Sequence, residues 1–295
     1  MAESTPSSSQ NRTLPREVRL FGVDHSPWVQ AVLLGLHDRG VPHEFSVTPS
    51  PSLFLASGVF MPAVRIDGGA WTYESASILQ ALGYAEAKPE DASAMLRLFL
   101  AGAFERTSSA VRFWSAFSTV RDGSPSALGR LLHQFTRPIV VLTFFLMISA
   151  ARLRGTGPSD ERRLAALEYW NAQLTDGRAF LGGSEPDTVD LQLFGQVQMQ
   201  ASIPGSTLTI LLEAPELATL RDWAARMQAR FADYPHLYSG PLFEPKLPAP
   251  EAASIGERIA FWTGCAAVIL FSPVALALSV YSVVRVGRSG LRSGR

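Results

Sequence analysis

Short apolar runs alternate with helical patterns in the first third of the chain. Four runs of three to six residues have the composition of β-strands: Val18–Val23, His43–Val47, Ala63–Ile66 and Trp71–Tyr73. Apolar residues at helical spacing follow the first and the last run, and the Pro- and Ser-rich segment 49–52 predicts a loop. Asp67-Gly68-Gly69 predicts a hairpin turn between the last two strands. The predicted order is βαβ followed by ββα.

Beyond this unit the chain predicts helices only. Three long segments have apolar residues at helical spacing: Ala92–Val120, Ser126–Ala151 and Ser159–Leu174. The stretch 138–151 carries no charged residue and is flanked by arginines. As a helix it would be about 21 Å long, which is shorter than a bilayer core. This length favours a buried central helix of a bundle, with a segment that dips into or packs against a membrane as the alternative.

A second uncharged segment lies near the C-terminus. Ile259–Val284 has no charged residue over its full length and would form a helix of about 39 Å, enough to cross a bilayer with tilt or with a kink at Pro273. Trp262 and Tyr281 lie near its ends, as interfacial anchors do. The sequence therefore predicts a transmembrane helix at the end of the chain. Four arginines follow it, so either the short basic tail crosses the membrane or an apolar segment re-enters it; we expect the first.

Composition removes several classes of function. The chain has 26 basic and 26 acidic residues, so it lacks the basic field of a nucleic-acid-binding protein. Cys265 is the only cysteine, which excludes an intramolecular disulfide and argues against a thiol-ligated metal. The five histidines have no metal-ligand spacing. Residues 1–16 are polar and predict a disordered tail, and the start of the sequence lacks the pattern of a signal peptide.

Ser26 occupies the turn between the first strand and the first helix. Pro27 suits the first helical position, so the Ser26 hydroxyl should lie near free backbone N–H groups. Such a position can stabilise an anion such as a phosphate, a carboxylate or a thiolate. An ordinary helix N-cap is the other interpretation of this serine.

The whole pattern resembles the glutathione S-transferase superfamily. Ser26-Pro27 after the first strand, Met61-Pro62 before the third and Glu74-Ser75 after the fourth resemble its thioredoxin-like domain. Asp187-Thr-Val-Asp190, a reciprocal helix cap, and the segment 214–235 resemble its helical domain. The resemblance covers roughly residues 18–240. It implies an α+β thioredoxin-like domain (βαβββα) followed by an all-α bundle, to which the sequence adds the transmembrane helix.

The resemblance also implies a glutathione site. Ser26 would stabilise the thiolate, because the thiolate and not the thiol is the nucleophile. Met61 would pair through its backbone with the cysteinyl part, next to a cis peptide bond at Pro62. Glu74 and Ser75 would hold the ammonium and the carboxylate of the γ-glutamyl end. A hydrophobic co-substrate site would be built from four aromatic residues, namely Trp28, Phe113, Trp114 and Phe117.

The implied function is conjugation of glutathione to lipophilic electrophiles by a membrane-anchored protein whose globular domains face the cytosol. Glutathione is then a co-substrate, no metal is needed, and a homodimer is a family expectation. Phe60 and Gln30 depart from the family pattern, which leaves open an inactive membrane adaptor or scaffold of the metaxin kind. A thiol reductase or a membrane-bound isomerase is disfavoured because the turn holds Ser26 and no cysteine.

The predicted organisation has seven parts. They are a tail (1–16), the thioredoxin-like domain (17–84), a linker (85–91), the helical domain (92–240), a Pro-rich linker (241–257), the transmembrane helix (258–285) and a basic tail (286–295).

Overall fold

The structure is a computed structural model, and it describes most of the two predicted domains. The described residues are 17–24, 26–47, 49–58, 60–102, 126–155, 159–202, 206–238, 253–271 and 273. Several predictions fall outside them: the polar N-terminal tail, the aromatic residues Phe113, Trp114 and Phe117, most of the Pro-rich linker, and most of the second half of the predicted transmembrane helix.

The N-terminal domain is a four-stranded mixed sheet with helices packed against it. The strands are β1 (Val18–Phe21), β2 (His43–Ser46), β3 (Ala63–Ile66) and β4 (Trp71–Tyr73). Their order in the sheet is β2-β1-β3-β4, with β1 and β2 parallel and the other two pairs antiparallel. Helices α1 (Pro27–Asp38) and α3 (Ser75–Ala81) follow β1 and β4, as predicted. The architecture is a thioredoxin-like domain, as the resemblance implied.

The predicted loop after β2 is wrong, because a short helix begins there. Helix α2 runs from Pro51 to Ser57, and the Ser50 side chain caps it by accepting a hydrogen bond from the backbone N–H of Leu53 at 3.2 Å. Leu53 is fully buried against Phe21 and Ala63. The order of helices and strands is therefore βαβαββα, with one helix more than predicted between β2 and β3.

The second domain is entirely helical in the residues that are described. Its helices are α4 (Pro89–Gly102), α5 (Ala127–Leu153), α6 (Asp160–Gln173), α7 (Thr188–Ser202), α8 (Ser206–Glu213) and α9 (Ala218–Arg230), with a 3-10 turn at Pro215–Leu217 before the last. The predicted reciprocal cap of α7 is present: Asp187 accepts from the N–H groups of Val189 and Asp190, and Asp190 accepts from the N–H of Asp187.

The two domains share one hydrophobic core, built where α1 lies against α7. Gly195 makes this contact possible, because a Cβ atom there would overlap the carbonyl oxygen of Pro27. Gly35 on α1 is similarly close to Leu79 and Leu191. The helix that follows Ser26 is therefore fixed against the helical domain along its length.

A further helix, α10 (Ile255–Leu270), packs against α5. A capping box at Ser254 and Glu257 begins it, and Glu257 also forms an ion pair with Arg130 at 3.1 Å. Within the described part of the chain, no helix is both long and apolar enough to cross a membrane. Of the segment 138–151, which was expected to be buried, Pro138 and Val141 are buried and Leu146 is 50% exposed.

Candidate functional site

The strand register brings the three predicted site segments to one edge of the sheet. Phe21 at the end of β1 pairs with Ala63 at the start of β3, and Ala63 pairs in turn with Tyr73 at the end of β4. The residues just beyond this row are the turn that contains Ser26, the Met61–Pro62 pair and the Glu74–Ser75 pair. Residues that are distant in sequence therefore converge because the sheet aligns their strand ends.

Ser26 is the N-cap residue of α1, but its hydroxyl does not cap the helix. The backbone of Ser26 accepts a hydrogen bond from Gln30 N–H at 2.9 Å, while its side chain makes no capping hydrogen bond. Pro27 at the first helical position has no N–H to offer. Of the two interpretations of this serine, the structure argues against the ordinary side-chain cap. The half-buried hydroxyl is thus oriented independently of the helix end.

Met61 and Pro62 lie one step beyond the β1–β3 ladder. Their peptide bond is cis, as the resemblance implied. Pro62 is buried, and the half-buried Met61 side chain packs against the main hydrophobic core and against the smaller cluster of Phe21, Leu53 and Ala63. Because the ladder ends at Ala63, the backbone groups of Met61 are outside the sheet pairing, where an extended peptide could bond to them.

Glu74 adopts a backbone conformation that non-glycine residues rarely adopt. Its φ is +79° and its ψ is 119°. Such conformations cost about 1–3 kcal/mol and persist only where the surroundings enforce them, most often at functional sites. The side chain is exposed and accepts a hydrogen bond from the Ser77 hydroxyl at 2.8 Å. A carboxylate is thereby held at the sheet edge facing solvent.

Ser75 is more deeply buried than the sequence suggested. It is 4% exposed, and its hydroxyl accepts a hydrogen bond from Nε2 of Gln192 on α7 at 2.9 Å. A serine hydroxyl has one further hydrogen to donate, so Ser75 can still serve an anionic group on its other side. Sequence reasoning missed Gln192; its signal is a row of glutamines at a spacing of four residues along α7, namely Gln192, Gln196 and Gln200.

The turn before Ser26 also contacts the end of the helical domain. Burial, with the negative charge of Asp24 as a second cause, raises the pKa of both Tyr234 and Tyr238 well above its usual value. The carboxylate of Asp24 therefore lies near two phenols that stay neutral at physiological pH. The backbone N–H of Tyr238 donates to Gln198 on α7 at 2.8 Å. The turn is therefore next to the end of the helical domain, which is itself bonded to α7.

Of the four aromatic residues predicted for a co-substrate site, only Trp28 lies within the described residues. It is half-buried and packs against Phe99 of α4, with ring centroids 6.0 Å apart. This contact places an apolar wall on the α4 side of the Ser26 turn. In the part of the chain that the structure describes, no cluster of His, Cys, Asp or Glu could hold a metal ion.

A separate small cavity lies inside the helical domain. Its volume is about 20 Å³, and its lining is apolar except for Gln196 and Gln200. Both side-chain amide atoms of Gln196 are buried and lack a hydrogen-bond partner. The cavity has room for about one water molecule, which is far too little for a peptide.

Gln192 and Gln196, one turn apart on α7, should respond differently to replacement by methionine. Gln192→Met removes the donor to Ser75 and is expected to lower the free energy of unfolding by about 1–2 kcal/mol. Gln196→Met removes an amide that bonds to no other protein group among the described residues, so its effect on the free energy of unfolding should be smaller. Urea unfolding of both variants tests this, and a loss of stability in Gln196→Met as large as that in Gln192→Met would contradict it.

Comparisons with known proteins found likeness in structure alone. No family model matches the chain, and no curated protein matches it. Among solved structures, a glutathione S-transferase of Anopheles dirus species B is 19% identical, with a TM-score of 0.40 over 73% of this chain and 91% of its own. A Bombyx mori glutathione transferase is 13% identical, with a TM-score of 0.44 over 85% and 100%. One from Pseudomonas fluorescens is 14% identical, with a TM-score of 0.42 over 77% and 99%.

Proposed function

We propose that the chain binds glutathione at the sheet edge next to Ser26 and conjugates it to lipophilic electrophiles. The observation that carries this proposal is the strand register, in which Phe21, Ala63 and Tyr73 lie side by side. This register brings together the residues that follow or precede them: the hydroxyl of Ser26, the backbone of Met61 outside the sheet pairing, and the carboxylate of Glu74. These three features match the thiol, the peptide backbone and the ammonium group of one small peptide. Among the described residues, no other group of strand ends brings these three features together.

In the proposed reaction, glutathione loses its thiol proton to solvent. Its thiolate sulfur then forms a bond to the electrophilic carbon, and the leaving group, a halide in a nitroaryl halide, departs to solvent with the electron pair of the broken bond. The Ser26 hydroxyl donates a hydrogen bond to the thiolate, which favours the charged form and lowers the pKa of the thiol. Met61 pairs with the cysteinyl backbone, and Glu74 holds the ammonium. Ser75, oriented by Gln192, donates to the γ-glutamyl carboxylate. The Trp28–Phe99 wall receives the apolar part of the electrophile.

The proposal includes attachment to a membrane, with the globular domains on the cytosolic side. It is supported by the uncharged segment 259–284, of which residues 259–270 belong to α10. A membrane would concentrate lipophilic electrophiles close to the site. A homodimer is also proposed from the family resemblance alone.

A membrane adaptor without catalysis is the second candidate. It is favoured by Phe60 and Gln30, which depart from the family pattern next to the proposed site. Such an adaptor would keep the fold and lose glutathione affinity. Steady-state conjugation of glutathione to a nitroaryl halide by the full-length chain in detergent separates the two candidates. Saturable, enzyme-dependent product formation supports the transferase, whereas a rate equal to the uncatalysed one contradicts it.

Glu74 offers a test that separates backbone strain from ligand binding. Glu74→Gly is expected to raise the free energy of unfolding by about 1 kcal/mol, since glycine accepts a positive φ without cost. Glu74→Ala keeps the strained backbone and should unfold as the wild type does. Both variants lose the carboxylate and should bind glutathione about tenfold more weakly. Urea unfolding and calorimetric titration measure the two effects, and unchanged affinity in both variants would contradict the role of Glu74.

A further inference from the structure

Among the side chains that the structure describes, helices α5 and α10 each expose apolar residues along one side, which we call the apolar stripes. On α5 five of the six exposed apolar residues lie within about 60° of one another around the helix axis, at 100° per residue: Leu128, Leu132, Phe135, Leu146 and Leu153. On α10 the corresponding residues are Ile255, Ile259, Trp262, Ile269 and Leu270. Their exposed fractions range from 40% to 90%. Exposed apolar residues aligned in this way mark an interaction surface.

The two helices run parallel and form one unit. Arg130 pairs with Glu257, Leu131 lies beside Gly256, and Phe135 lies against Gly264. The residue numbers of the contacts therefore increase in the same direction along both helices. Gly264 allows the close approach, because a Cβ atom there would overlap the Phe135 carbonyl oxygen. The buried residues of both helices lie around the helix axis on the side away from the stripes: Arg137 and Val141 on α5, and Glu257, Phe261 and Gly264 on α10.

The charge of this pair identifies the partner as an anionic lipid surface. Helix α5 contains no acidic residue, and the only one on α10, Glu257, is 4% exposed and paired with Arg130. The exposed residues Arg154 and Arg258 lie next to the stripes in sequence and around the helix axis. The chain beyond α10 continues without charge to residue 284 and then carries four arginines. Basic residues beside an apolar face are typical of helices that lie in a bilayer interface.

We infer that α5 and α10 together insert their apolar stripes into an anionic membrane surface. The inference rests on the membrane attachment proposed above and extends it, because α5, more than one hundred residues before the C-terminal segment, becomes part of the membrane contact. The pair lies in the interface, with leucine and tryptophan side chains among the acyl chains and arginines at the phosphates.

A fluorophore on α5 tests the inference independently of the C-terminal anchor. In the full-length chain with Cys265→Ala, a single cysteine replaces Leu132 or Leu146 and is labelled with an environment-sensitive dye. The matched control is Leu96→Cys on α4, whose side chain is as exposed as that of Leu146. Proteins are reconstituted in vesicles of phosphatidylcholine and phosphatidylglycerol, with or without lipids that carry a quencher on the acyl chain.

The inference predicts a blue shift at positions 132 and 146 and loss of their emission with quencher lipids, with neither change at position 96. Protein that floats with vesicles while positions 132 and 146 stay unquenched would overturn it, because the C-terminal segment alone would then hold the chain. A blue shift that depends on protein concentration without lipid would also overturn it, in favour of a second copy covering the stripes. Titration of the same labelled proteins with glutathione tests the proposed glutathione site separately. Failure of the membrane contact can therefore be told apart from failure of the proposed function.

Discussion

Replacing Ser26 with alanine is expected to lower kcat/KM for conjugation by about 10- to 100-fold. A hydrogen bond to a charged group contributes about 1.5–3 kcal/mol, and the thiolate carries full charge only after the thiol ionises. The hydroxyl makes no capping bond in the folded chain, so its loss should leave stability nearly unchanged. The measurement is the pH profile of kcat/KM for the electrophile at saturating glutathione. This profile should shift to higher pH in Ser26→Ala, because the thiol of bound glutathione ionises less readily.

Ser26→Thr is the matched control, because it keeps the hydroxyl at the same backbone position. Most of the activity and the wild-type pH profile should return in this variant. Equal activity in the wild type and Ser26→Ala would contradict the assigned role. So would a loss of activity in Ser26→Ala accompanied by a matching loss of stability, since the serine would then act as a structural residue.

Replacing Asp190 with alanine is expected to lower the free energy of unfolding by about 3–5 kcal/mol. Asp190 accepts four hydrogen bonds, from the backbone N–H groups of Leu181, Gly182 and Asp187 and from Nε1 of Trp223 at 2.7 Å. Trp223 is fully buried, so its donor would lose its partner without gaining water. Urea unfolding measures the change.

Asp176→Ala is the control for this variant, since that carboxylate bonds only to Arg178 within the same exposed loop among the described contacts. It should leave the urea midpoint unchanged. A shift in Asp176→Ala as large as that in Asp190→Ala would contradict the special role of the buried carboxylate.

Asp190 also predicts a pH dependence of stability. Burial raises the pKa of its carboxyl from 3.8 to about 6, although the N–H donors act in the opposite direction. The folded chain then holds this proton more tightly than the unfolded chain. The contribution of Asp190 to the free energy of unfolding is therefore largest below pH 4, and it falls by about 3 kcal/mol as the pH rises to about 6. The difference in unfolding free energy between the wild type and Asp190→Asn, measured from pH 4 to 7, should fall accordingly. A difference that stays level or rises would contradict the raised pKa.

The local features of the fold could be predicted from the sequence. Strand periodicity, the Asp67–Gly69 turn and the Asp187–Asp190 cap depend on neighbouring residues, and the described part of the chain contains the four strands, the turn and the cap. Helix α2 was predictable in principle, because Ser50-Pro51 is a capping signal, but the prolines around it favour a loop. Local chemistry can thus point either way when capping and turn signals overlap.

Contacts between distant segments could not be predicted from periodicity. Gln192 reaches Ser75 across 117 positions, and Arg130 reaches Glu257 across 127. The pairing of α5 with α10 depends on Gly264, which as a single glycine in an apolar segment gives no signal of its own. The strand register that joins the three site segments is likewise set by the whole sheet.

Calorimetric titration of the full-length chain with glutathione tests the central claim most directly. The sheet-edge site predicts saturable binding with one site per chain, retained when the thiol is methylated and weakened in Glu74→Ala. It also predicts that Leu96→Glu, on the exposed side of α4, binds as the wild type does. No binding up to millimolar glutathione, by a chain whose unfolding transition is intact, would contradict the account.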